Sequence, residues 1–276
     1  KKEKETSFTK NNHKKILPRA SKNESCQSRI RKMPSKFWHG EFSKVRSHKK
    51  YVTKVLKKKD KDIYKSWFSE INALRACDSI VGVPQILSTS VDFDNHDYRI
   101  KMSRCPGYPI DYIYKHTSIN EDTIFIIMSK LLTIIAKIHA IGFTHYDISL
   151  ENIMYDDVTH EVSLIDFGFC TIGPIAHFYG TDAYVAPEIS DNSIPYPKGT
   201  QKCDIYSAGI CLYFLLCMNF RKYHKNLTLI QPFPWPSEVL SPLLTFLTEI
   251  TKQMLMPEKQ RPNAATIVER FIDYRK

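Results

Sequence analysis

Apolar and polar positions alternate through residues 37–56, the period of short strands joined by tight turns. Between residues 67 and 76 the period changes. Trp67, Phe68, Ile71 and Leu74 recur at helical spacing, with Glu70 on an adjoining face. From Val91 to Met102 extended runs return, interrupted by Asn95-His96-Asp97, which predicts a hairpin with a polar turn. Cys105-Pro106-Gly107 breaks the pattern and reads as a hinge or linker. Beyond it the chain turns helical. Ser118-Ile119-Asn120-Glu121 has the spacing of a capping box. Ile124, Phe125, Ile127, Met128, Leu131, Leu132, Ile135 and Ile138 then form one broad apolar face that ends near Gly142. The run from Ile205 to Phe220, broken by Ser207, Gly209 and Asn219, is too short and interrupted for a membrane span and predicts a buried helix. A small strand-rich front and a larger helical back, joined at a Pro-Gly step, predict an α+β molecule of two lobes. Ligands bind preferentially in clefts between such lobes.

Composition supports a packed core, with 42% hydrophobic and 12% aromatic residues in 276. Charge divides the chain more sharply. Residues 1–65 hold 22 Lys/Arg against 6 Asp/Glu, whereas the remainder holds 18 against 23. Residues 1–33 are basic and poor in apolar anchors, so the expectation there is a disordered arm, followed by lobes at 34–104 and 105–276. Such an arm suits an acidic partner, nucleic acid or an anionic membrane, or serves only solubility. Apart from Phe8 its charges carry no interleaved aromatics, which argues against base stacking. The seven cysteines are odd in number and contain no C-x-x-C pair. They read as reduced thiols of an intracellular protein, in cytoplasm or nucleus, rather than as disulfides or a zinc site. The first residue is Lys, so a processed or truncated start is expected, and no secretory signal or transmembrane segment is predicted.

The chemistry concentrates in two motifs. Residues His145 to Asn152 read H-Y-D-I-S-L-E-N, and Asp166-Phe167-Gly168 begins fourteen residues after Asn152, a distance that fits one β-hairpin. Asp147 can orient a hydroxyl nucleophile. Asn152 and Asp166 supply hard oxygen donors of the kind that hold magnesium against phosphates.

These motifs, in this order with others, resemble the eukaryotic protein kinase superfamily over about residues 36 to 274. Tyr51-Val52-Thr53-Lys54 is similar to the V-A-I-K strand, and Glu70 follows Lys54 by sixteen residues. Met102-Ser103-Arg104-Cys105 resembles the hinge beside adenine, and Gly180 to Glu188 resembles G-T-x-x-Y-x-A-P-E. The resemblance implies a bilobal fold: a small antiparallel sheet with one main helix, then a larger helical lobe. It implies ATP and Mg as cofactors and Ser/Thr hydroxyls of protein substrates as acceptors. Lys54, Asp147, Asn152 and Asp166 are the implied catalytic set, with Asn152 and Asp166 as metal ligands. Gly40, Val45, Val52, Lys54, Glu70, Met102, Arg104, Cys105 and Met154 are the implied nucleotide contacts. Arg104 and Cys105 would offer backbone hydrogen bonds to the base, and Val45, Val52 and Met154 would sandwich it. His145 would pack on Phe167, Thr181 would bond near Asp147, Glu188 would pair with Arg261, and Asp204 would brace the catalytic loop.

Three departures stand against this pattern. Of the three glycines in G-x-G-x-F-G-x-V only Gly40 remains, with Trp38 and Ser43 at the other two positions, so backbone amides approach phosphates less freely. Tyr146 stands where an Arg usually meets a phosphorylated activation loop. Ser149 stands where a Lys usually touches the γ-phosphate, which removes a cation from the transition state. These departures keep a second expectation open: a weak or inactive pseudokinase that binds nucleotide or scaffolds a partner.

Overall fold

The computed structural model describes residues 38–39, 43–56, 63–95, 97–175, 181–191, 193, 195–196, 198–219 and 241–276. The predicted basic arm and Gly40 lie outside them. Residues 34–276 form one compact unit.

Strands β1 (Trp38–His39), β2 (Ser43–Ser47), β3 (Tyr51–Leu56), β4 (Ile86–Asp92) and β5 (Asp97–Ser103) make an antiparallel sheet in the order β1-β2-β3-β5-β4. The alternation read in residues 37–56 is therefore pleat, and the polar step after Asp92 is the turn of the β4–β5 hairpin. Helix α1 (Ile63–Ala76) buries Glu70, Ile71, Ala73 and Leu74 against this sheet. A carboxylate on that buried face is costly unless paired, and its partner is a lysine of β3.

The chain then turns helical: a short β6 (Tyr108–Pro109), α2 (Ile110–His116) and α3 (Glu121–Ala140). The cap of α3 differs from the predicted one. Asn120, not Ser118, is the N-cap, and its side chain accepts a hydrogen bond from the Thr123 amide. Asn caps as well as Ser, and the residue adjoining the first helical turn wins over one two positions earlier. At the other end Gly142 adopts φ +87°, the left-handed conformation that ends a helix at little cost to glycine. Among the described residues α3 is the one helix long and apolar enough to cross a membrane. Half of its apolar window is buried in the core, where Phe125 packs on Phe246 and Phe271.

Two hairpin-like pairs frame the loops. Strand β7 (Phe143–Thr144) pairs with β10 (Thr171–Ile172), and β8 (Ile153–Tyr155) pairs with β9 (Val162–Leu164) and β6. A short helix α4 (Pro187–Ser190) leads to α5 (Lys202–Asn219), with α6 (Pro242–Met254) and α7 (Ala264–Tyr274) behind it. Residues of α5 from Cys203 to Leu216 are buried except Phe214. A helix apolar on all sides belongs inside a protein, which is how the apolar run from Ile205 is used. Its N-terminal turn nevertheless holds Asp204, 1% exposed.

The helical lobe also contains a buried ion pair. The Arg261 guanidinium, fully buried, donates to both oxygens of Glu188 at 2.6 and 3.2 Å and to the carbonyls of Lys202 and Met256. Burial raises the Glu188 carboxyl, but the Arg261 hydrogen bonds and charge outweigh it and hold the group below its ordinary value. Removing one partner of such a pair costs about 3–5 kcal/mol because it strands the other charge. Arg261→Met is expected to lower the urea midpoint accordingly, and adding Glu188→Gln to recover much of the loss. Because the folded carboxyl is depressed, its contribution is complete above the unfolded value of about 4.3 and disappears as pH falls through the folded one. The stability gap between wild type and Glu188→Gln should therefore narrow below about pH 4 in acid titrations followed by circular dichroism.

Candidate active site

Lys54 is the fourth lysine or arginine from Arg46 onward, yet β3 turns it inward, where it is 7% exposed. Its ammonium donates to Glu70 Oε1 at 2.8 Å and to Asp166 Oδ1 at 2.7 Å. One cation thus joins the sheet, α1 and a loop 112 residues away. Burial works against the charged amine, but the two carboxylates overcome it and raise the lysine above its ordinary value. Burial raises the Glu70 carboxyl against the pull of Lys54. Asp166 is held below its usual range, because Lys54 and the Gly168 amide outweigh desolvation. The cluster carries two carboxylates and one ammonium, so a further cation beside Asp166 is electrostatically favoured.

Asp147 lies in the loop after β7, in a hydrogen-bonded cradle. Its Oδ1 accepts from the Thr181 hydroxyl at 3.1 Å and amide at 3.3 Å, and its Oδ2 accepts from Asn152 Nδ2 at 2.9 Å. Desolvation raises its carboxyl, with the nearby Asp166 charge adding to it and His145 and Thr181 opposing. Asn152 Nδ2 also donates to the Asp147 carbonyl at 2.9 Å. With the nitrogen committed twice, the amide oxygen is the end left to accept or ligate.

Asp166 takes φ +63° and Tyr146 φ +62°, in the left-handed region that non-glycine residues avoid. Such strain persists only where surroundings over-determine it. At Tyr146 the cause is Asp204. Its carboxylate accepts from the amides of His145 (2.8 Å) and Tyr146 (2.9 Å) and from His139 Nε2 (2.9 Å). At Asp166 the pull of Lys54 from one side and the Gly168 amide from the other fixes the turn. His145 is fully buried, edge-on to Phe167 with ring centroids 4.9 Å apart. Burial lowers its imidazole despite Asp204, Asp147 and Asp166 around it, so the ring is neutral at pH 7.

The remaining expected contacts are spread over the strands beside this cluster. Val45 pairs with Lys54 across β2–β3, Val52 pairs with Met102 across β3–β5, and Met154 sits on β8, all half-buried. Cys105 follows β5 and is half-buried. Arg104 is tied to the neighbouring turn. Its amide donates to the Lys50 carbonyl at 3.4 Å and its guanidinium reaches the His48 carbonyl at 3.5 Å. The exposed Arg104 therefore braces the β2–β3 turn. Gly40 lies outside the described residues; Trp38 and His39 of β1 pair with Val45 and Lys44. Ser149 is buried, and its hydroxyl makes no hydrogen bond among the described residues. His139, which completes the set around Asp204, was not foreseen. It lies in the I-H-A-I-G run, where only its distance from Asp204 in space reveals a partner.

No group of three or more His, Cys, Asp or Glu side chains among the described residues could hold a metal unaided. Asp166, whose side chain is 40% exposed, and the oxygen of Asn152 instead form a sparse hard-oxygen pair. That set fits magnesium, which keeps waters and shares its shell with phosphates.

The Lys54 cluster yields a stability test. Lys54→Met leaves Glu70 buried without a cation and should cost about 3–5 kcal/mol in urea unfolding, whereas Lys54→Met with Glu70→Leu should recover much of it.

Comparison with known proteins agrees with this geometry. A family model described as "Protein kinase domain" matches residues 38–271. Calcium-dependent protein kinase 5 of Plasmodium berghei is 34% identical over 131 residues, 45% of this chain and 22% of that protein. Calcium-dependent protein kinase 12 of Arabidopsis thaliana is 28% identical over 162 residues, 52% of this chain and 32% of that protein. Mitosis inducer protein kinase cdr1 of Schizosaccharomyces pombe is 34% identical over 114 residues, 40% and 19% of the two chains. The matched segments span about a fifth to a third of these relatives' lengths. With the family model covering most of its length and the Lys54, Asp147 and Asp204 clusters assembled as its motifs require, the chain belongs to the protein kinase domain family.

Proposed function

We propose that the chain transfers the γ-phosphoryl group of ATP, with magnesium, to Ser or Thr hydroxyls of protein substrates. One observation supports this most: the Asp147 carboxylate is fixed by Thr181 and Asn152, while Lys54 fixes Asp166. In this reading Asp147 accepts a hydrogen bond from the acceptor hydroxyl, orients it, and takes its proton as the new P–O bond forms and the bond from the γ-phosphorus to the bridging oxygen breaks, releasing ADP. Burial raises its basicity above that of a solvated aspartate, which helps a general base. Lys54 steadies the α- and β-phosphates, and Glu70 keeps its ammonium in place. Asp166 and Asn152 would hold magnesium, which would supply positive charge against the phosphates. Val45, Val52, Met102, Cys105 and Met154 flank the base. The rate enhancement comes from positioning and electrostatics. The relatives, themselves named as protein kinases, support the same reading. The lobe boundaries near residue 104, an intracellular location, and acidic partners, nucleic acid or anionic membrane for residues 1–33 belong to the same proposal.

A pseudokinase is the second reading, favoured by Ser149. Its hydroxyl, without a hydrogen-bond partner among the described residues, offers a donor but no charge where the family's lysine would stand. Phosphate transfer from labelled ATP to generic protein substrates separates the two. Asp147→Asn should lower transfer by about 10²–10⁴-fold with the melting temperature retained. Transfer that survives the substitution refutes the assigned role. Absence of transfer in wild type, with a magnesium-dependent nucleotide thermal shift, favours the pseudokinase. The acid limb of kcat should lie above the ordinary aspartate value of about 3.9, because activity needs the Asp147 carboxylate and its folded value is raised.

A further inference from the structure

The residue beside Asp147 makes a connection that its position in the motif does not announce. Strands β7 and β10 pair Phe143 with Ile172 and Thr144 with Thr171. Just beyond this two-rung ladder the Tyr146 hydroxyl donates to the Gly173 carbonyl at 2.8 Å. Two residues later Ile175 and Lys198 exchange backbone hydrogen bonds in both directions, at 3.0 and 3.1 Å. Gly199 follows Lys198 with φ +102°. A Cβ there would lie 3.0 Å from Tyr146 Cε1 and 2.7 Å from Ile189 Cδ1. The phenol ring thus fills the space that a side chain at residue 199 would take. Three segments meet on this ring: the loop carrying Asp147, the segment after Asp166-Phe167-Gly168, and the loop before α5. Gly173, at φ +78°, turns the middle segment where the phenol grips it.

We propose that Tyr146 is a positioning residue: its hydroxyl bond to Gly173 holds residues 171–175 against the Asp147 loop without any modification of that segment. The argument rests on the proposed phosphoryl transfer for its catalytic consequence, though not for its structural one. A buried guanidinium in this position would need an anion nearby to offset its charge. A neutral phenol needs only a carbonyl, and the carbonyl is already there. Tyr146 is 6% exposed, and burial raises its phenol far above the ordinary tyrosine value, so it remains a donor throughout the physiological range. Its own amide is fixed by Asp204 at 2.9 Å, so the tether is anchored at both ends. The pull on Gly173 therefore passes to the backbone of Asp147, the next residue.

Tyr146→Phe removes one oxygen and keeps the ring against Gly199. Leaving a part-buried carbonyl without its donor should lower kcat for peptide phosphorylation roughly threefold to tenfold. The KM for ATP should change less than about twofold, since the nucleotide contacts are elsewhere. In native-state hydrogen exchange the Ile175 and Lys198 amides should exchange faster by a similar factor, while amides of α3 such as Leu131 keep their wild-type rates. Phosphatase-treated wild-type protein should keep its kcat. Unchanged exchange at Ile175 and Lys198 would overturn the tether, and unchanged kcat with faster exchange would overturn its role in positioning. So would a kcat that collapses on phosphatase treatment and returns on rephosphorylation. If wild type transfers no phosphate, the phosphoryl-transfer reading fails by itself, and exchange in Tyr146→Phe still decides whether the tether exists.

Discussion

A single buried ammonium holds the working geometry together. Lys54 donates to one carboxylate on helix α1 and to another in the loop after β9. Buried ion pairs contribute little net stability compared with apolar side chains of the same shape, because desolvation consumes most of the Coulomb gain. The cluster is therefore better explained by what it specifies. Glu70 stays buried only where Lys54 can reach it, so the seating of α1 on the sheet and the position of Asp166 are set by one side chain. The excess negative charge left beside Asp166 then favours a cation, and with it a polyphosphate.

Asp204 performs the same service for the loop that carries Asp147. Buried at the start of α5, it accepts three hydrogen bonds from groups 58 to 65 residues earlier in the chain. Those bonds fix Tyr146 in a backbone conformation that its side chain does not favour. Asp147 inherits its direction from that fixed residue, and Thr181 and Asn152 hold its two oxygens. The apolar packing around α5 is what makes this bracing rigid, since a helix buried on every side has no solvent face toward which it can relax.

Much of this was legible in the chain. The alternation in residues 37–56 is the pleat of β1 to β3, and the helical spacing around Glu70 is α1. Lys54, Glu70, Asp147, Asn152 and Asp166 were singled out by motif and do converge. The pairs Glu188–Arg261, His145–Phe167, Thr181–Asp147 and Asp204 with the catalytic loop also form. At the cap of α3, where the structure differs from expectation, local chemistry was ambiguous. Ser118 and Asn120 are both good caps, and only the first helical turn chooses between them. Arg104 follows Met102 in the expected hinge, and the pairing of β3 with β5 brings its amide to Lys50.

The sequence by itself determined the periods of strand and helix, the order of the motifs and the chemical types available at each. Those properties depend on neighbours within a few residues, which the chain specifies directly. Only tertiary structure decided which hydrogen bonds those groups would make. Tyr146 reads in the motif as a missing arginine; folded, it is a phenol clamped between Asp204, Gly173 and Gly199. That result depends on three segments packed around one ring, and a pattern along the chain encodes spacing rather than distance.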